Sequence, residues 1–175
     1  MSTWPHPIVD QLQSAVGADE AWKTTLQDLS HGNPAPYGVH VAVLIEPYLR
    51  LILDGDKTVE SRFARRRYPP YGCLRSGDVI LLKRTGGPIM GICQATEVSF
   101  HERHDGSWQP IRDVFAQALC AVDEEFWQQR ETTSYATLVV LSRVCRLAPS
   151  LDFHKRDRRG WMVLQAAGRG EGVAR

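Results

Sequence analysis

The sequence predicts an α+β fold: a small closed or partly open β-barrel with flanking and inserted helices. Three observations point there. Apolar, β-branched runs of strand length recur between glycine and proline clusters, helical periodicity is confined to two places, and the strands do not alternate regularly with helices as a parallel α/β sheet requires. A chain of 175 residues buries one ordinary core with some decoration at its ends, and 43% hydrophobic with 23% charged residues is the composition of a folded domain.

The first element is an amphipathic helix over about 18–29, with Ala21, Trp22, Leu26 and Leu29 at helical spacing and Asp19 as its cap. The stretch from His31 to Gly38 is dense in turn formers and reads as a linker. Val39–Ile45 is apolar enough for a buried strand. Pro47 suits the first turn of a following helix, and Gly55 sits where that helix should stop. Lys57–Phe63 is extended, and Tyr68-Pro69-Pro70-Tyr71-Gly72 is a loop because paired prolines continue neither ladder nor helix. Val79–Lys83 and Ile89–Phe100 flank Thr85-Gly86-Gly87-Pro88 and form an antiparallel hairpin. The segment from Ile111 to Arg130 is helical and broken around 121–123; Tyr135–Leu147 and Trp161–Gln165 are the last strands. The chain thus divides into a helical extension and linker over 1–38, a domain over 39–165 and a disordered tail over 166–175.

Several classes are excluded. No stretch has the roughly 18 apolar residues that span a bilayer, and the first residues lack a basic region followed by an apolar one, so a soluble, cytoplasmic protein with no membrane partner is expected. Cys73, Cys93, Cys120 and Cys145 form no C-x-x-C pair and read as free thiols. His101-Glu102-Arg103-His104 is not the zincin spacing, and there is no glycine-rich phosphate loop or G-x-S-x-G, so neither a metal nor a cofactor is expected.

Net charge is only +1, but its distribution is uneven. Between Lys57 and Arg84 stand Lys57, Arg62, Arg65, Arg66, Arg67, Arg75, Lys83 and Arg84 against Glu60 and Asp78. A second basic cluster is Lys155, Arg156, Arg158 and Arg159 around Asp157. Brought together, the two make a surface that attracts phosphates; apart, they are solvated charge runs.

The stretch Gly55-Asp56-Lys57-Thr58-Val59-Glu60-Ser61-Arg62 contains G-x-K-x-x-E-x-R, and in this it resembles the ASCH-domain family, a branch of the PUA-like β-barrels. The resemblance runs from Val39 to Leu164 and takes in Glu46-Pro47-Tyr48, the Gly77-Asp78 turn and Asp157-Arg158-Arg159-Gly160-Trp161. It implies an RNA or nucleotide ligand, held in a cleft between barrel and inserted helices. Binding would fall to Lys57, Thr58, Arg62, Arg65, Arg66, Tyr68, Tyr71, Lys83, Lys155, Arg158 and Arg159, since guanidinium groups grip phosphate and flat rings stack on unpaired bases. Trp161, inside an apolar strand, is expected in the core.

Some family members are amidohydrolases of acetylcytidine or ribonucleases, which makes a hydrolase acting through Lys57 and Glu60 the alternative. This sequence departs from the amidohydrolase pattern of a lysine followed three residues later by a threonine, because Glu60 stands there and the threonine is Thr58. Strand parity places Thr58, Glu60 and Arg62 on one face and Lys57 on the other, so Lys57 joins Glu60 only if the strand starts irregularly. Glu60 and Arg62 suit an ion pair that fixes the barrel, whereas Lys57 has no evident structural task; Lys57→Ala is therefore expected to weaken binding without lowering the melting temperature. The N-terminal helix would hold a protein partner if Trp22, Leu26 and Leu29 faced solvent.

Overall fold

The computed structural model describes residues 6–31, 36–104, 106–155 and 158–168. Part of the linker (32–35), the basic-cluster residues Arg156 and Asp157, and the tail from 169 onward lie outside the described residues.

Six strands form one mixed sheet in the order β2-β5-β4-β3-β1-β6: β1 (Val39–Leu44), β2 (Val59–Ala64), β3 (Val79–Arg84), β4 (Ile89–Glu102), β5 (Tyr135–Leu151) and β6 (Trp161–Gln165). The hairpin of β3 and β4 is antiparallel as its turn residues require, while β1 and β3 run parallel, joined by a long crossover. Every other neighbouring pair is antiparallel, so the fold is the expected α+β arrangement and not a parallel α/β sheet. β4 and β5 are long and curl the sheet into a half-barrel. Their register shifts between Ile92 and Gln94 and between Ala95 and Glu97, and Arg143 in β5 adopts a positive φ of 51°, the marks of bulges that bend a ladder. β5 runs four residues beyond the Leu147 boundary read from the sequence.

The helices are α1 (His6–Ala15), α2 (Glu20–His31), α3 (Tyr48–Asp54), α4 (Gln109–Phe115) and α5 (Glu124–Gln128). In α2 the Asp19 carboxylate accepts from the Trp22 N–H at 3.0 Å, the expected cap. The α1 helix was not anticipated. It is ten residues long, too short to hold itself in water, and it forms because Val9, Leu12 and Ala15 are buried in the cluster that holds Trp22, Leu26, Leu29 and the β1, β3 and β4 side chains Val41, Leu81 and Ile92. Trp22 is fully buried and donates its indole N–H to the Arg143 carbonyl at 2.9 Å. The apolar face of α2 is thus covered by this chain's own sheet, and the condition set for a docking helix is not met.

A second cluster covers the other face of the sheet with Leu44, Ile52, Leu74, Ile80, Cys93 and Trp161. A third lies under α4 and α5, where Trp108, Ile111, Phe126 and Trp127 pack on Val59 and Leu138. The interruption of the inserted helical region falls at 116–123, wider than the expected break.

Candidate functional site

The half-barrel does not close by strand pairing. β2 pairs with β5 alone and β6, beside β1, is the opposite edge, so a seam separates β2 from the β1–β6 end of the sheet. Arg62 spans it. Its Nη2 donates to the Val43 carbonyl at 3.0 Å and its Nη1 to the Gly160 carbonyl at 3.2 Å, while Val43 itself donates its N–H to Gly160 at 2.9 Å. A Cβ on residue 160 would stand 3.1 Å from Arg62 Nη1, so glycine keeps that approach open.

The motif is built from its first glycine. Gly55 ends α3 with φ of 87° and donates to the Ile52 carbonyl, the left-handed stop expected of it. Lys57 then turns back to donate its N–H to Leu51, and both Thr58 and Val59 donate to the Ala118 carbonyl. Strand pairing begins only at Val59. That irregular start releases Lys57 from the alternation of β2 and lets it reach Glu60.

Lys57 and Glu60 are 3% and 6% exposed. The Lys57 ammonium donates to the carbonyls of Val59 (2.7 Å) and Leu119 (3.0 Å), stands 3.4 Å from Glu60 Oε2, and lies 5.5 Å from the Tyr48 ring centre. Burial pulls its pKa below the usual lysine value, with Glu60 opposing. The other Glu60 oxygen, Oε1, pairs with Arg62 Nε at 3.0 Å. Lys57 therefore has a structural task that the sequence did not show: its head ties the start of β2 to the segment between α4 and α5.

These three side chains line a cleft of ≈430 Å³ that runs along the free edge of β2, with Ser61 and Phe63 on one side and Ile45 and Tyr48 on the other. Arg130 forms its far wall. The guanidinium lies 3.4 Å from the Phe126 ring centre and 5.5 Å from that of Phe63, and burial lowers its pKa. Tyr48, Phe126, Gln129 and Arg130 had not been singled out as site residues. Arg130 escapes a search for basic runs because it stands alone after the acidic start of α5, and only its spacing of four and three residues from the apolar Phe126 and Trp127 hints that it faces the barrel.

The remaining expected residues separate. Thr58 is exposed and outside the cleft, because the irregular start that brings Lys57 in turns Thr58 away. Arg65 and Arg66 are exposed on the loop after β2; Arg65 donates to Thr132 Oγ1 at 3.1 Å, and neither lines the cleft. Arg67 pairs with Glu102 and covers the Tyr135 ring. Tyr68 and Tyr71 border a smaller hollow of ≈180 Å³ on the other side of Arg62. Trp161 is buried beneath Arg62, at 5.3 Å, and belongs to the core as expected. Its indole N–H donates to His40 Nδ1 at 3.2 Å, which leaves the Nε2 proton of His40 for Asp78, 3.1 Å away.

Lys83, Lys155, Arg158 and Arg159 come together in a groove of ≈800 Å³ that also holds Asp152 and His154. The two basic clusters of the sequence thus meet, at least in part. The groove shares Val43 and Ile45 with the cleft and Gly160 with the Tyr68 hollow, so the three depressions adjoin around the Arg62 fork. Among the described residues no group of histidine, cysteine and carboxylate side chains is arranged to hold a metal ion, and no helix is long and apolar enough to cross a membrane.

No protein-family model and no curated protein matches the sequence. Solved structures to which the chain is similar include ASCH from Zymomonas mobilis (TM-score 0.49, 19% identity, 62% of this chain and 69% of that one). The ASCH domain from Lactobacillus crispatus JV V101 is matched with a TM-score of 0.42 at 20% identity, over 74% of this chain and 97% of that one. The N-terminal domain of Staphylothermus marinus McrB is matched at 0.41 and 13%, over 66% and 76%.

Proposed function

We propose that the cleft along the β2 edge binds RNA or a nucleotide, taking an unpaired base among its rings and the attached phosphate on its cations. The observation that carries this reading is the convergence of Arg62 and Arg130 with the rings of Tyr48, Phe63 and Phe126 in one cleft whose single carboxylate, Glu60, is already paired with the buried Lys57. Flat aromatic and guanidinium surfaces stack on any base, and a cleft richer in cations than in carboxylates favours the phosphate. The bases of a duplex are already stacked and paired, so a single strand is the better ligand.

Binding is favoured over hydrolysis by how Lys57 and Glu60 are occupied. A general base needs a free lone pair, yet three oxygens surround the Lys57 ammonium and each Glu60 oxygen already faces a cation. The pair converges in a concave site, as a hydrolase would require, but its atoms are committed to each other and to the fold.

The test is fluorescence anisotropy with labelled single-stranded RNA, its duplex, and mononucleotides, over a range of salt. Single strands should bind with an affinity that falls as salt rises. Arg130→Met should weaken binding about tenfold, the loss of one stacked, charge-assisted contact. Equal binding by the Arg130 variant would refute the cleft as the site. Mass spectrometry of RNA and acylated nucleosides after incubation should recover both unchanged; turnover would establish the hydrolase instead.

A further inference from the structure

The cleft is too small to explain the groove beside it, and the groove has a feature the cleft lacks. Lys57 and Arg62 share Glu60, but Lys83, 5% exposed, is a buried side-chain cation with no carboxylate partner among the described residues. Its ammonium donates to the carbonyls of Arg84 and Gly87, which uses two of its three N–H groups. Burial lowers its pKa and the nearby Lys155 lowers it further. A cation held only by carbonyls in the lining of a groove gains a charge partner when an anion enters that groove.

We infer that the groove beside Lys83 is a phosphate site for the strand continuing out of the cleft, so that the ligand is an oligonucleotide with successive phosphates rather than a nucleoside or mononucleotide. This rests on the reading of the cleft as the base site. Lys155, Arg158 and Arg159 line the same groove, with Asp152 as the carboxylate in its lining among the described residues, and the groove is about twice the volume of the cleft, ≈800 against ≈430 Å³. Ile45, 59% exposed, forms the lip the two share and offers an apolar surface where a ribose passes from one to the other. The remaining Lys83 N–H and the rim cations supply donors to successive phosphate oxygens.

The experiment measures binding of 5′-phosphorylated mono-, tri- and hexanucleotides and of a nucleoside triphosphate to the full chain, its Lys83→Met variant and Arg130→Met. Methionine keeps the length of the buried stem and removes the charge, and circular dichroism checks the fold. The tri- and hexanucleotide should bind more tightly than the mononucleotide. Lys83→Met should weaken the longer ligands about tenfold, reduce their salt slope by about 0.7, and leave the mononucleotide unaffected. Should Lys83→Met not fold, Lys155→Gln on the rim carries the same expectation. Unchanged binding of all lengths by the lysine variant, with Arg130→Met still impaired, would overturn the groove inference and spare the cleft. A triphosphate bound as tightly as the hexanucleotide, and weakened as much by Lys83→Met, would show terminal phosphates in the groove and overturn the strand. Binding unaffected by Arg130→Met would remove the cleft reading itself.

Discussion

Glu60→Ala is the sharpest test of how the site is held. The carboxylate is the sole anion between Lys57 and Arg62, at 3.4 and 3.0 Å, and the Lys57 side chain beside it is 2% exposed. Removing one partner of a buried pair strands the other charge, which costs roughly 3–5 kcal/mol. For a domain of this size each kcal/mol lowers the melting temperature by about 2–4 °C, so a fall on the order of 6–20 °C is expected near neutral pH. The loss should also depend on pH. Burial already lowers the Lys57 pKa, and deleting Glu60 removes the charge that opposes this. Between the lowered folded value and the unfolded value near 10.5, the unfolded chain binds more protons than the folded one. Stability of the variant therefore rises with pH in that window, and the deficit narrows as Lys57 sheds its proton. Urea unfolding followed by tryptophan fluorescence at several pH values reads both effects. The double variant Lys57→Met/Glu60→Ala should recover part of the loss, because no buried ammonium remains to be stranded. A Glu60→Ala protein within about 1 kcal/mol of the parent at neutral pH would refute a buried pair worth breaking.

Two further outcomes concern the frame around the site. Asp78 is pushed up by burial but is held below the usual carboxylate range by His40 and the N–H groups of Arg75 and Gly38, so Asp78→Asn should cost roughly 1.5–3 kcal/mol at neutral pH. A depressed carboxyl contributes stability above its unfolded pKa and loses it as pH falls through the folded value, so urea midpoints of parent and variant should converge in acid. A Cβ on Gly91 would meet Leu53 Cδ2 at 2.5 Å and the Cys145 carbonyl at 3.1 Å; Gly91→Ala should destabilise by about 1–3 kcal/mol in the same assay, because the carbonyl belongs to a paired strand and cannot give way.

The parts of the fold that were legible are those whose cause is local. Gly55 stops α3 because only a residue free of a Cβ takes its φ of 87° cheaply, and Gly86, with φ of 68°, turns the β3–β4 hairpin for the same reason. What was not legible depends on the chain meeting itself. The α1 helix exists because a sheet surface far along the sequence covers Val9 and Leu12. The expectation that Lys57→Ala leaves the melting temperature unchanged is reversed, since its ammonium holds carbonyls at Val59 and at Leu119, the latter 62 residues away. Thr58 and Lys57 exchange their expected places because two hydrogen bonds to Ala118 delay the start of β2, and parity counted from the sequence has no access to that bond.

The location of the cleft follows from how the barrel ends. Closing β2 onto β6, the other edge of the sheet, by a backbone ladder would have filled the seam with paired N–H and carbonyl groups and left no concavity. Arg62 closes it with one side chain instead, and a guanidinium fork satisfies two carbonyls while leaving open space on either side. Glu60 is then required to balance Arg62 and Lys57 within that seam. The same groups that hold the half-barrel shut therefore line the depression where a ligand would enter, so substitutions at Glu60 and Arg62 change stability and affinity together. Arg130 and Lys83 stand outside the closure, so substitutions there should test the proposed binding while the barrel stays shut.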